Sequence, residues 1–312
     1  MAKSSSQKLT EFTAADHPVR RLRRFKERAI EFILFLAAAS SVLITLGIVG
    51  ILVTESLPFF AHVSFKDFLT DTEWTPLFEN AHYGILPLVC GTFLSTFIAL
   101  IVAIPLGTVA ASYLSEYISG NAREILKPIL EMLAAIPTVV YGYFALLFVT
   151  PILQKVFPEM GGFNVLSAGI VIGIMIVPYV SSLSEDAMRS VPNHLREASF
   201  AMGASRFQTV FRVVIPSAFS GITSAYTLGI SRALGETMVV AIAAGMQPNL
   251  TLNPTQPAAT ITAFIVQVSL GDLPHGSVGY QSIYVAGLTL LLLTLGFNVI
   301  GLWLRKRFQE RE

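Results

Sequence analysis

Six long apolar runs, at about 32–54, 84–115, 129–154, 160–184, 219–245 and 282–304, leave this chain little choice of solvent. Each reaches the roughly 20 residues that a helix needs to cross a hydrocarbon core about 30 Å thick. Inside lipid the backbone must satisfy its own hydrogen bonds, so apolar runs of this length are expected as helices. Composition agrees, with 53% hydrophobic and only 13% charged residues, against roughly 25% charge in soluble domains. The expected fold class is an all-α integral membrane protein with six transmembrane helices. The first run is longer than the apolar stretch of a signal peptide, and its small residues Ala37, Ala38 and Ala39 lie inside it. It is expected to be retained as a span.

Orientation follows from lysine and arginine. Arg20, Arg21, Arg23, Arg24, Lys26 and Arg28 precede the first run, Arg123 and Lys127 precede the third, Arg189, Arg196, Arg206 and Arg212 lie between the fourth and fifth, and Arg305, Lys306, Arg307 and Arg311 follow the last. The other side holds only Lys66 and Lys155. The positive-inside rule therefore places both termini of this multi-pass chain in the cytoplasm. The basic cluster near residue 20 is read as this topology signal, and no nucleic-acid partner is expected; membrane lipid is. Residues 1–26 are expected to be a basic, mobile cytoplasmic extension, and 27–312 one membrane domain. Its external loops are expected at about 56–83 and 246–281, and a polar cytoplasmic segment at about 190–212. The first external loop is rich in aromatic residues, which serve either as interfacial anchors or as a docking surface for an external partner.

Several chemistries are missing from the sequence. No lysine follows a glycine, so the chain has no Walker-type phosphate loop. Its histidines lie far apart, at 17, 62, 82, 194 and 275, without metal-ligand spacing, and Cys90 is the single cysteine. No Gly-x-Ser-x-Gly nucleophile motif occurs. No catalytic residue, metal or cofactor is expected in this chain, and any energy for work must be supplied by another protein.

Three constellations remain. Glu197, Ala198 and Ser199 are followed by Gly203 and then by Pro216 at the return to the membrane. Locally this is a short helix, a turn and a restart, which an ordinary loop also provides. Arg232 and Glu236 lie four residues apart in the fifth run. On a continuous helix they would share a face about 40° apart. Charges in a span persist where they pair or line a polar path. Either the two form a structural salt bridge, or Arg232 offers its planar fork to an oxyanion while Glu236 moderates the field. Pro137 and Gly142 in the third run predict a bend and a close approach, which packing or gating would equally require.

The spacing from Glu197-Ala198-Ser199 through Gly203 to Val213-Val214-Ile215-Pro216 resembles the Glu-Ala-Ala…Gly…Ile-x-Leu-Pro signature of ABC importer permeases, with Ser199, Val213 and Ile215 as conservative departures. Residues 136–142 and 231–237 are similar to recurring motifs of the Pst-type phosphate importer permeases, and the long aromatic first loop resembles the C-type subunit. The resemblance implies a type I ABC importer permease (MetI-like) fold, in which Glu197, Ala198, Ser199, Gly203 and Pro216 belong to a cytoplasmic coupling helix. It implies a heterodimer with the A-type permease, two ATPase subunits carrying ATP and Mg, and an external phosphate-binding protein. It also places Arg232 and Glu236 at substrate-translocation positions in the bacterial inner membrane. Alternatives are a permease for sulfate, molybdate or tungstate, the A-type phosphate permease, a secondary transporter, or a sensory membrane subunit that transports nothing.

Overall fold

A computed structural model describes residues 17–78, 80–274 and 276–309. Contacts divide the chain into two units, Met1–Thr54 and Glu55–Glu312. The first, where described, is the greater part of helix α1 (His17–His62). Its apolar side chains, Phe32, Phe35, Leu43 and Leu46 among them, are all largely exposed. A helix that is apolar all round belongs in lipid. The expected extension 1–26 lies mainly outside the described residues; from His17 onward the backbone is helical.

The second unit is built from α2 (Phe65–Thr70), α3 (Leu86–Tyr117), α4 (Gly120–Ala134), α5 (Thr138–Gln154), α6 (Val165–Arg189), α7 (Asn193–Ala201), α8 (Arg206–Ser217), α9 (Phe219–Leu234), α10 (Ile261–Gln267) and α11 (Val278–Gln309). Among the described residues no β-strand occurs, only an isolated bridge between Trp74 and Tyr83. Four helices, including most of α1, are long and apolar enough to cross a membrane, and six spans result if each of two bent pairs counts as one. The α3 and α6 helices pack most extensively, and α9 lies against α6, α11 and α3. Their shared core includes Ala99, Ala103, Ile172, Met175 and Ile176. Small residues at such contacts let helices approach closely where water supplies no drive for association.

The chain bends sharply at two places, the first at Pro137, where the sequence predicts a bend. The helices α4 and α5 meet at 82°. Pro137 is the N-cap of α5 and has no N–H to continue a helix across the join. Tyr141 closes the corner by donating its hydroxyl to the Leu133 carbonyl at 2.7 Å. Helices α8 and α9 meet at 75°. The fifth run then breaks again, because α9 ends at Leu234 with Gly235 as its cap. A short π turn, Val240–Ala244, follows. Neighbours satisfy the freed backbone groups: Thr262 donates to the Glu236 carbonyl at 2.6 Å, and the Asn164 N–H to that of Ala243 at 2.9 Å. Interrupted helices survive at membrane depth where protein meets their loose ends in this way.

On the loop side, Phe59, Phe68, Trp74, Ile85, Leu88 and Phe264 form a separate buried cluster. Its aromatic pairs are edge-to-face, Trp74 against Phe264 at 5.0 Å between ring centres. The first loop is thus a folded cap, and His82 pins it by a 2.9 Å contact with Asp71. The hydrogen bond that His82 donates to the Asp71 carboxylate raises the His82 pKa above its usual 6.5. Partial burial pushes the Asp71 carboxyl up, but its hydrogen bonds to His82 and to backbone N–H groups outweigh that and hold it below 3.8.

Candidate functional site: a lever and a broken span

The polar segment between α6 and α9 forms a helix, a turn and a second helix. Pro192 opens α7, and Gly203 turns the chain at φ +81°, a conformation that a side chain would strain. Ser205 then starts α8 through a capping box: its hydroxyl accepts from the Gln208 N–H at 3.3 Å, and the Gln208 side chain accepts from the Ser205 N–H at 2.9 Å. Pro216 lies near the end of α8, preceded by a π turn at Val210–Val214. Ser199 meets Thr209 at 2.9 Å, hydroxyl to hydroxyl, and ties the two helices together. Glu197, Ala198, Met202 and Gly203 are exposed. A hollow of about 560 Å³, lined in part by Ala198, Ser199, Met202 and Arg212, opens between the helices.

One side chain fixes this hairpin to the spans. Arg196 on α7 grips the Glu116 carboxylate with Nε at 3.1 Å and Nη2 at 2.9 Å. Nη2 also donates to the Met188 carbonyl at 2.8 Å, and Nη1 to that of Val191. Glu116 lies in the π turn that ends α3, and Met188 in the last turn of α6. A planar guanidinium with several partners is stiffer than a single ion pair. Beneath it, Ala111, Met188, Val191, Val214, Ala218 and Ile222 form an apolar pad. Arg196 thus ties α7 to the ends of α3 and α6 together.

A second charged seam joins α4 to α6. Glu185 is fully buried, and its carboxylate takes Arg123 and Lys127, each at 2.7 Å. Lys127 also reaches Asp186 at 2.6 Å, and Ser182 donates to Glu131 at 2.8 Å. The opposite face of α4 is apolar and open at Ile125, Ile129 and Met132.

Within the membrane the expected Arg232–Glu236 arrangement is corrected. Because α9 ends between them, the two side chains do not share a helix face. Among the described residues they form no ion pair. Glu236 is buried, 5% exposed, and its Oε1 accepts from the Val239 N–H at 3.3 Å, capping the next turn. Arg232 sits in the last turn of α9, where the helix dipole favours a cation. Its side chain is exposed, and Cζ lies 5.7 Å from the centre of the Tyr179 ring on α6. Among the described residues its guanidinium takes part in no ion pair. Gly142 on α5 packs on the short turn after Glu236, where a Cβ would come within 2.9 Å of Ile242. The segment after the break at Pro137 is therefore packed against the segment after the break at Gly235.

Sequence reasoning missed Arg196, Glu116, Glu185 and Asp186 as working residues. The partners are 80 and 62 positions apart in their pairs, beyond any local pattern. The i, i+4 spacing of Arg123 and Lys127 on the polar face of α4 was the one available signal.

Residues 103–311 match the family described as binding-protein-dependent transport system inner membrane component. The probable ABC transporter permease protein YqgH of Bacillus subtilis is 34% identical over 278 residues, covering 88% of this chain and 87% of that protein. The phosphate transport system permease protein PstC of Mesorhizobium japonicum is 32% identical over 299 residues, covering 88% and 89%. Among solved structures, a chain of a bacterial ABC transporter that imports the acidic polysaccharide alginate superposes with a TM-score of 0.60 at 15% identity, over 91% of this chain and 99% of that one. A chain of the MetNI methionine ABC transporter, inward facing, gives 0.53 at 21% identity over 72% and 94%. The fold is the one these importer membrane subunits share. The chain belongs to the binding-protein-dependent transport system inner membrane component family, and within it to the permeases of the PstC type.

Proposed function

We propose that this chain is the C-type membrane subunit of an ATP-driven importer that carries inorganic phosphate across the bacterial cytoplasmic membrane by alternating access. The observation that carries the reading is the outward-facing α7, held by Arg196 to the ends of two spans at once. A helix that presents Glu197 and Ala198 to solvent while its root is clamped is suited to receive force from a partner. The partners in this reading are two ATPase subunits holding ATP and Mg, an A-type permease forming a heterodimer, and an external phosphate-binding protein. Both termini and α7 face the cytoplasm, as the distribution of basic residues supports. Phosphate is favoured by the PstC relatives and by an exposed guanidinium fork, which matches a pair of phosphate oxygens. Glu236, by holding the turn beyond the break, keeps that fork in place. The segments beyond the breaks at Pro137 and Gly235, which meet at Gly142, are where the path opens and closes in this reading.

The test is uptake by proteoliposomes that hold the co-purified complex, with ATP inside and the binding protein and labelled phosphate outside. Accumulation that needs ATP is expected. Accumulation driven by an ion gradient alone, or equal uptake of sulfate, would overturn the assignment. In the same system Arg196→Ala is expected to lower phosphate uptake about tenfold, the value of one lost charge-assisted contact. ATP hydrolysis should persist, because the docking face of α7 is untouched. If hydrolysis and uptake fell in proportion, Arg196 would serve docking rather than transmission.

A further inference from the structure

A hollow of about 340 Å³ opens between α9 and α11, lined by Ser224, Thr227, Leu228, Asn298 and Arg305. The two helices run antiparallel there, since Ser231 on α9 donates to the Asn298 side chain at 3.1 Å. Arg305, two turns beyond Asn298, is consequently level with Ser224, near the start of α9 and the end of α8. The hollow lies at the membrane boundary on the side of the coupling segment.

Its polar groups are unbalanced. The Arg305 Nε is buried and has no hydrogen-bond partner among the described residues. Asn298 accepts from Ser231 through its oxygen, which leaves its amide N–H groups to donate. By contrast, the Ser224 hydroxyl donates to the Ser220 carbonyl at 3.0 Å and the Thr227 hydroxyl to that of Thr223 at 2.8 Å. Both hydroxyl oxygens therefore remain as acceptors. Arg305 is half-buried as a whole, but a buried guanidinium N–H without an acceptor is costly, and native structures rarely leave one so. The missing group must bring anionic oxygens to Arg305 and Asn298 and, a few ångströms away, O–H or N–H donors to Ser224 and Thr227.

The surroundings identify its source. Trp303 is 55% exposed, and the Arg307 guanidinium lies 5.3 Å from its ring centre. A Trp–Arg pair on the lipid-facing side of a span marks the level of the headgroups. With Lys306 and Arg307 adjoining, the local field favours net negative charge.

The geometry points to a binding site for the headgroup of an anionic phospholipid, its phosphodiester on Arg305 and Asn298 and its headgroup hydroxyls on Ser224 and Thr227. Phosphatidylglycerol has this chemistry; phosphatidylcholine lacks both the net charge and the donors. The site depends on the membrane fold and not on which substrate is carried.

The test is native mass spectrometry of the whole complex released from nanodiscs that contain phosphatidylglycerol and phosphatidylcholine. Wild type is expected to retain a phosphatidylglycerol that Arg305→Gln binds about tenfold more weakly, the low end for one charge-assisted hydrogen bond, since glutamine keeps a neutral donor. Leu228→Trp keeps Arg305 but fills the hollow, and should lose the same lipid. Thermal midpoints in phosphatidylcholine alone should be equal for all three, which excludes misfolding as the cause. Equal retention by wild type and both variants would overturn the assignment. So would equal retention of phosphatidylcholine, and so would Arg305-dependent stabilisation by inorganic phosphate in phosphatidylcholine nanodiscs, which would identify a free-phosphate site instead.

Discussion

Phosphate uptake by a complex carrying Arg232→Ala is expected to fall at least about 100-fold, with assembly and basal ATP hydrolysis retained. Two charge-assisted hydrogen bonds from a guanidinium fork contribute about 1.5–3 kcal/mol each, and each 1.4 kcal/mol is tenfold. Arg232 has no acidic partner among the described residues, so its removal strands no carboxylate. Glu236 keeps its own cap on Val239. The loss should therefore appear in transport and not in stability. Arg232→Lys keeps the charge but not the planar pair of donors, and should fall between alanine and wild type. Initial rates of labelled phosphate uptake, beside ATP hydrolysis by the same preparation, separate these cases. Wild-type uptake by Arg232→Ala would remove Arg232 from the pathway.

What the sequence made legible was set by the solvent. A bilayer demands long apolar segments, and those can be counted, so the number of spans and the all-helical class were readable before any contact was known. Hydropathy does not report continuity. The run at 219–245 has the same apolar character on both sides of Gly235, yet α9 stops there and Glu236 caps a new turn. The proline at 137 announced its break, but α4 was cut short in the sequence reading because Arg123, Lys127 and Glu131 dilute its apolar face. Arg123 and Lys127 were charges to be counted for orientation until α6 supplied their partners. The lever showed a similar division. Gly203 and Ser205 have local causes and were accessible from spacing. The Arg196–Glu116 clamp brings together α3 and α7, and only packing reveals it.

Glu185→Gln is expected to destabilise the chain by about 3 kcal/mol, at the low end of the range for removing one member of a buried ion pair. Glu185 is fully buried, while Arg123 and Lys127 retain about a fifth of their side-chain exposure. The carboxylate is thus the group that the fold has desolvated most, and Arg123 and Lys127 are oriented on it, with the more exposed Arg189 further off at 3.7 Å. Glutamine keeps its volume but offers one neutral acceptor in place of two charged ones. Lys127 would still hold Asp186 at 2.6 Å, which limits the loss. Arg123 has no such second partner, and its guanidinium would have to swing toward solvent or stay uncompensated. Since α4 has few other polar ties to α6, its end near Gly120 should loosen first. Thermal unfolding in one fixed nanodisc composition measures the loss, and hydrogen exchange over 120–134 locates it. Adding Arg123→Gln and Lys127→Met to Glu185→Gln removes the stranded cations and should recover more than half of the stability, because burying neutral groups costs far less than burying an unpaired charge. If Glu185→Gln alone unfolded at the wild-type temperature, or if the triple variant were the weakest of the set, the seam would be ornament on a helix pair held by apolar contact.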